Sequence, residues 1–411
     1  MKVLDKLLGR APSQREFAAL MMRSFSRVGM ENSRYDEREF ALRFPDSNTV
    51  AFLTNLYAGY CHAPRAARRA MAARFAASFA RLEKIPDDFA SASTHFMPVV
   101  RDPAYFSLAR LHDQAAGKDE RRLAVPGAEL AEDLLVHLAW DTESSISAVN
   151  LERLEGWGVS LDEALKLAKD NLREHTEPGS MSEPSPGLFC GQWGDSYESS
   201  RMLLIDLVYR LEVSGDPVAF VPHRSQFWVT GTHNLAGLRA LLKSGEETHS
   251  IEYPLSPNLY VLRDGNWKLY EPPAPELREL WLALRRRRLA LDYQQQKTLL
   301  DAIHEQQRID VFVAAYALFN LGATGKPQST CVWTKGVDTL LPKVEQVTFL
   351  INPESREVIT VPWQAALSVM GNVMEEQPEL WPKRYRVRSF PDEAQILELR
   401  ELRQAGPTEV S

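Results

Sequence analysis

Asn258-Leu259-Tyr260-Val261-Leu262-Arg263-Asp264-Gly265-Asn266-Trp267-Lys268-Leu269-Tyr270 reads as two short strands on either side of Asp264-Gly265. Asp-Gly accepts positive φ at both positions, which a tight turn between antiparallel strands requires. Upstream, residues 218–221 and 227–230 flank Pro222-His223-Arg224-Ser225 in the same manner. A helical pattern at 234–242 lies between the two hairpins. Helices interleaved with hairpins predict an α+β fold rather than a doubly wound parallel sheet.

The same grammar extends toward the N-terminus. Phe17, Leu20, Met21, Phe25 and Val28 fall on one stripe of a helix over 14–31, and Met71, Phe75, Phe79 and Leu82 on one over 66–82. Residues 96–100 and 134–140 read as strands, and 146–149 as a strand returning from a hairpin. Asn150 caps a short helix ending near Gly156, and Ser160-Leu161-Asp162-Glu163 is a capping box opening another helix. Residues 176–187, with three prolines and two glycines, read as a loop.

Composition breaks at Glu271-Pro272-Pro273-Ala274-Pro275, a stiff linker. From there to Gly322 no glycine or proline occurs, which leaves room for one very long helix or a helical hairpin turning near Leu291-Asp292-Tyr293. Strands at 347–351 and 358–361 and helices at 364–374 and 393–402 follow. Three regions result: an α+β domain over 1–272, a linker and helical arm over 273–321, and a small α+β module over 322–411.

With 411 residues, 44% of them hydrophobic and 25% charged, the chain has globular composition. A formal net charge of −7 argues against a global pull toward nucleic acid or anionic lipid. The three cysteines, Cys61, Cys190 and Cys331, suggest neither a disulfide framework nor a cysteine-based zinc site. No apolar stretch near the start suits a signal peptide, and no window suits a membrane span, so a cytoplasmic location is expected.

The densest polar group is Gly194-Asp195-Ser196-Tyr197-Glu198-Ser199-Ser200-Arg201. Asp195 and Glu198 stand at the spacing of a helix N-cap and its third residue, where each would accept from a free amide. Capping explains Ser196, Tyr197 and Arg201 less well, so these are candidate binding residues, together with His223 and Arg224. An echo at Trp140-Asp141-Thr142-Glu143 opens an alternative. If Asp141, Glu143, Asp195 and Glu198 faced one cleft, they would suit a divalent metal and a metal-assisted hydrolase.

Other motifs carry less. Ser196, His223 and Asp141 make a triad only on paper, without a nucleophile elbow. Gly322-Ala323-Thr324-Gly325-Lys326-Pro327 fails the phosphate-loop spacing. Arg285-Arg286-Arg287-Arg288 points around a whole helical turn and reads as a solvated or interface face. Nucleic-acid binding through it and the arginines of 65–81 is the weakest reading.

Several segments resemble the YtpQ-like family of bacterial domains of unestablished function. They are Phe96-Met97-Pro98-Val99-Val100-Arg101, residues 133–141, Trp157-Gly158-Val159-Ser160-Leu161-Asp162-Glu163-Ala164 with Asn171-Leu172, residues 194–201, and Asp216-Pro217-Val218-Ala219-Phe220-Val221-Pro222-His223-Arg224. The resemblance spans roughly 15–272 and implies no catalytic residues. Ser199 stands where the family pattern has a small apolar residue. The expected function is a non-catalytic binding or regulatory protein. No cofactor is evident outside the metal alternative, and the 276–320 helical segment is available to a protein partner or a second copy.

Overall fold

Strands buried on both faces build the centre of the molecule. The computed structural model describes residues 12–405, apart from 38–39, 45–48, 81–84, 116, 118–123, 143–145, 178, 196, 248–253, 321–326 and 353. The fold is α+β. Its largest sheet has six antiparallel strands in the order Asn266–Tyr270, Leu259–Arg263, Pro217–Phe220, Trp228–Gly231, Leu188–Gly191, Met181–Ser185. Asp264 and Gly265 take φ of 53° and 75° in the turn that joins the first two.

Adjacent side chains serve opposite cores, and those two apart share one. Ala219, Val221, Phe227, Val229, Tyr260 and Leu262 face one way, packing with Val100 and Val136 of a second, four-stranded antiparallel sheet. Val218, Phe220, Leu259 and Val261 face the other way, against Leu238, Leu241 and Leu242 of the helix Leu235–Glu247. A sheet covered on both faces needs apolar side chains at consecutive positions, which it deals alternately to the two cores.

The expected loop over 176–187 is instead partly strand. Met181–Ser185 pairs with Leu188–Gly191 at the outer edge of the large sheet, where Pro184 is tolerated because an edge strand has amides without ladder partners. Capping was legible locally. Ser160 and Glu163 make both bonds of the capping box on Leu161–Glu174. Asn150 caps Leu151–Trp157, which ends one residue later than expected at left-handed Gly158.

Beyond the prolines one helix, Pro275–Gln307, runs 33 residues, about 50 Å at 1.5 Å per residue. No turn interrupts it at 291–293. Asp292 accepts from Arg288 one turn earlier at 2.7 Å, and Tyr293 is buried. The helix stops at Gln307 with left-handed Arg308, so the rest of the 276–320 segment is not helical: strands Phe312–Val313 and Ala317–Asn320 follow.

This helix is the spine of the molecule. Its first half packs Leu277, Trp281 and Leu284 under the large sheet. Its second half packs Leu300 and Ile303 with Leu111, Val313, Leu340 and Leu380. The C-terminal part has two four-stranded sheets, one of them with Pro327–Thr334 parallel to Gln346–Asn352. Arg384 plugs this part onto the spine. It is fully buried and donates to Gln296 Oε1 and to the carbonyls of Ala314 and Leu340. No helix among the described residues is long and apolar enough to cross a membrane.

Candidate functional site

The spine leaves a cleft of about 860 Å³ between the N-terminal sheets and the C-terminal part. All three regions of the chain contribute charged side chains to its wall. Asp102 comes from the start of the helix Pro103–Ala115, where its Oδ1 accepts from the Ala104 amide at 2.8 Å. Asp133 sits in the turn between Gly127–Ala131 and Leu134–Asp141 with φ of 65°, a left-handed conformation that aspartate tolerates better than most residues. Arg285, Arg286, Arg288 and Asp292 come from the spine, and Lys343 and Glu345 from the C-terminal part.

Most of these charges are already tied to one another. Arg288 donates to Asp102 Oδ2 at 2.9 Å and to Asp292 Oδ2 at 2.7 Å. One guanidinium cannot fully balance two carboxylates, so one of the two acids is disfavoured as an anion. Burial pushes Asp102 up to about 7; Arg288 opposes the rise and Asp292 adds to it. Arg286 makes a two-point ion pair with Glu345 at 2.6 and 2.9 Å. Burial would raise Glu345, but Arg286 and the Ser329 amide outweigh it and hold the carboxylate low. Such two-point pairs fix geometry as well as charge. The arginine run is therefore an internal clamp at Arg286 and Arg288, while Arg287 stays exposed.

Asp133, Asn258, Arg285 and Lys343 behave differently. Asn258 Nδ2 donates to Asp133 Oδ2 at 3.1 Å. Since an ionised carboxylate only accepts, this bond fixes the amide orientation and leaves Asn258 Oδ1 as an acceptor. That oxygen is buried and has no hydrogen-bond partner among the described residues. Burial raises Asp133, opposed mainly by Arg285 and also by Lys343. Arg285 stacks over Trp281 at 4.8 Å and, like Lys343, has no ion pair within 4 Å among the described residues.

The binding and metal candidates read from sequence lie elsewhere. Arg201 is fully buried. It donates to both oxygens of Asp195 at 2.9 and 2.6 Å, to Thr176 Oγ1 and to the His175 carbonyl, with its carbon 4.1 Å from the Trp193 ring centre. Burial would raise Asp195, but Arg201 outweighs it and lowers the carboxylate. The expected N-cap geometry is absent. Asp195 Oδ1 accepts from Tyr197 two residues on, Glu198 Oε1 accepts from Gly194 at 2.7 Å, and a 3-10 turn, Ser199–Leu203, follows. The ion pair to Arg201 draws Asp195 away from a capping position.

Tyr197 is in a core with Met97, Val99 and Leu172. His223 Nδ1 accepts from the Ser225 amide at 3.1 Å in the loop between two strands, and the Arg224 carbonyl accepts from Ser199. Asp141 is raised by burial, opposed first by the phenol of Tyr197, and it also feels the charge of Asp195. Asp141 and Asp195 thus approach across Tyr197, whereas Glu198 turns back toward Gly194. Ser196 and Glu143 lie outside the described residues, as does the 322–326 glycine-containing segment. Among the described residues no group of three or more His, Cys, Asp or Glu is placed to hold one metal ion.

None of these residues lines the cleft. Of the residues that do, the sequence singled out Arg285, Arg286 and Arg288, read as a solvated or interface face; the others were missed because nothing local marks them as a site. Asp102-Pro103 is a legible helix start, and Arg288 with Asp292 a legible spacing of four. Their convergence is tertiary.

No family model, curated protein or solved structure matches this chain.

Proposed function

We propose that this is a non-catalytic binding or regulatory protein that takes a small polar ligand in the cleft beside the spine helix. The observation that carries the reading is the division of labour among the cleft's charges. Arg286, Arg288, Asp102, Asp292 and Glu345 are bonded to one another and hold the three regions of the chain in place. Asp133, Asn258, Arg285 and Lys343 are left to face a ligand. Rigid neighbours around a few open polar groups suit recognition.

Membership of residues 15–272 in the YtpQ-like family and a cytoplasmic place of work belong to the same proposal. The order and spacing of the quoted segments support the first. The free Cys61, Cys190 and Cys331 accord with the second. A protein partner would read the mouth of the cleft rather than the spine's apolar stripe, because that stripe is buried within the chain.

The test is capture of small molecules. The full chain is incubated with a cell extract, desalted and denatured, and the released compounds are identified by mass spectrometry. Ala124 is an exposed residue on the cleft wall, so Ala124→Trp fills the entrance. A compound should be released from the natural chain and be depleted from the variant. Identical release from both would overturn the cleft as the site.

A further inference from the structure

We propose that the ligand is a small zwitterion, an α-amino acid or short peptide, with its ammonium on Asp133 and Asn258 and its carboxylate between Arg285 and Lys343. This rests on the binding reading above and deepens it.

Two acceptors stand together on the cleft wall. Asn258 is 1% exposed, its Nδ2 is committed to Asp133 Oδ2, and its Oδ1 has no hydrogen-bond partner among the described residues. A buried acceptor without a donor costs free energy, so the site calls for a group that donates. An ammonium brings three donors and no acceptor.

Two cations answer them. Arg285 and Lys343 both lie close enough to Asp133 to oppose the effect of its burial, and neither has an ion pair within 4 Å among the described residues. The Arg285 guanidinium carbon lies 4.8 Å from the Trp281 ring centre, a contact that restrains its planar donors for a carboxylate. Glu132 adds a second negative charge beside Asp133. Two acids and two bases make the set neutral, which suits a ligand with both charges and no net charge. A simple anion would bring no donor to Glu132 and Asp133, and a sugar would bring no full charge to either the acids or the two cations. The cleft volume, about 860 Å³, admits a dipeptide as readily as a single amino acid.

The test compares L-leucine and L-alanyl-L-alanine with leucine's one-charge counterparts, 4-methylpentanoate and 3-methylbutylamine, and with trehalose. Binding to the full chain is measured by calorimetry. The zwitterions should bind at least about tenfold more tightly than either counterpart, the worth of one charge-assisted hydrogen bond. Asp133→Asn should erase leucine's advantage over 4-methylpentanoate. Asparagine tolerates the same left-handed backbone, so the variant keeps its turn. Lys343→Gln, at an exposed side chain, should erase the advantage over 3-methylbutylamine. Equal binding of 4-methylpentanoate, preference for trehalose, or no binding of either zwitterion at millimolar concentration would each overturn the inference. Those results leave the binding reading to the extract capture, which is blind to ligand class.

Discussion

Arg288 and Asp102 are 186 residues apart in the chain and 2.9 Å apart in space, and Asp292 shares the same guanidinium. This contact joins the first residues of the helix Pro103–Ala115 to the middle of the spine. It fixes one wall of the cleft, and both partners are nearly buried, at 13% and 9% side-chain exposure. Buried ion pairs contribute little net stability relative to apolar replacements, yet losing one partner is costly because a buried charge is left alone.

Arg288→Ala should therefore destabilise the protein by about 3–5 kcal/mol, since it strands two carboxylates. Arg287→Ala, one residue away and exposed, should stay within about 0.5 kcal/mol. Denaturant titration of both variants reads the difference. Equal effects would show that the run acts as a uniform charged face.

The acid at 102 sets a pH dependence. Its carboxyl rises to about 7 in the folded chain, above the value near 3.9 of an unfolded aspartate. Between these values the folded state holds the extra proton, so this group's contribution to stability falls as pH rises from about 4 to about 7. Asp102→Asn keeps an acceptor for the Ala104 amide and removes the titration. Melting temperatures across that range should decline less steeply in the variant. A slope as steep as the parent's would place the titration on another group.

Arg201 should prove structural. All its nitrogens donate within the chain, so Arg201→Ala should lower stability by about 3–5 kcal/mol in a denaturant titration. Its effect on leucine binding in the refolded fraction should be small. A stable Arg201→Ala chain that has lost its ligand would reverse the assignment and return the site to residues 195–201.

Divalent ions test the carboxylate alternative. Both Asp195 oxygens accept from Arg201, so millimolar Mn²⁺ should move the melting temperatures of the parent and of Asp195→Asn by the same amount. A rise in the parent that Asp195→Asn abolishes would establish a metal site at Asp141, Glu143, Asp195 and Glu198.

Much of the fold was legible residue by residue. The capping box at Ser160 and Glu163, the Asp264-Gly265 turn and the two-residue alternation through 217–231 are interactions between near neighbours, which a linear pattern carries directly. The edge strand Met181–Ser185 was hidden because two prolines and a glycine masked a short pairing that only an edge position permits. The candidate site was not legible. Residues 194–201 have the spacing of a helix cap, and the sequence contains no sign that Arg201 would take both oxygens of Asp195.

The chain by itself determined its fold class, its caps and turns, and where its regular elements begin. Those depend on bonds to residues two to four positions away. Only the tertiary structure decided that residues 275–307 form one continuous spine. It also turned two of four consecutive arginines inward and brought Asp133, Asn258, Arg285 and Lys343 to one cleft. Burial and long-range charge select those arrangements, and neither is a property of any local stretch: each arginine of 285–288 has the same helix preference, and what differs is the carboxylate that folding places opposite it.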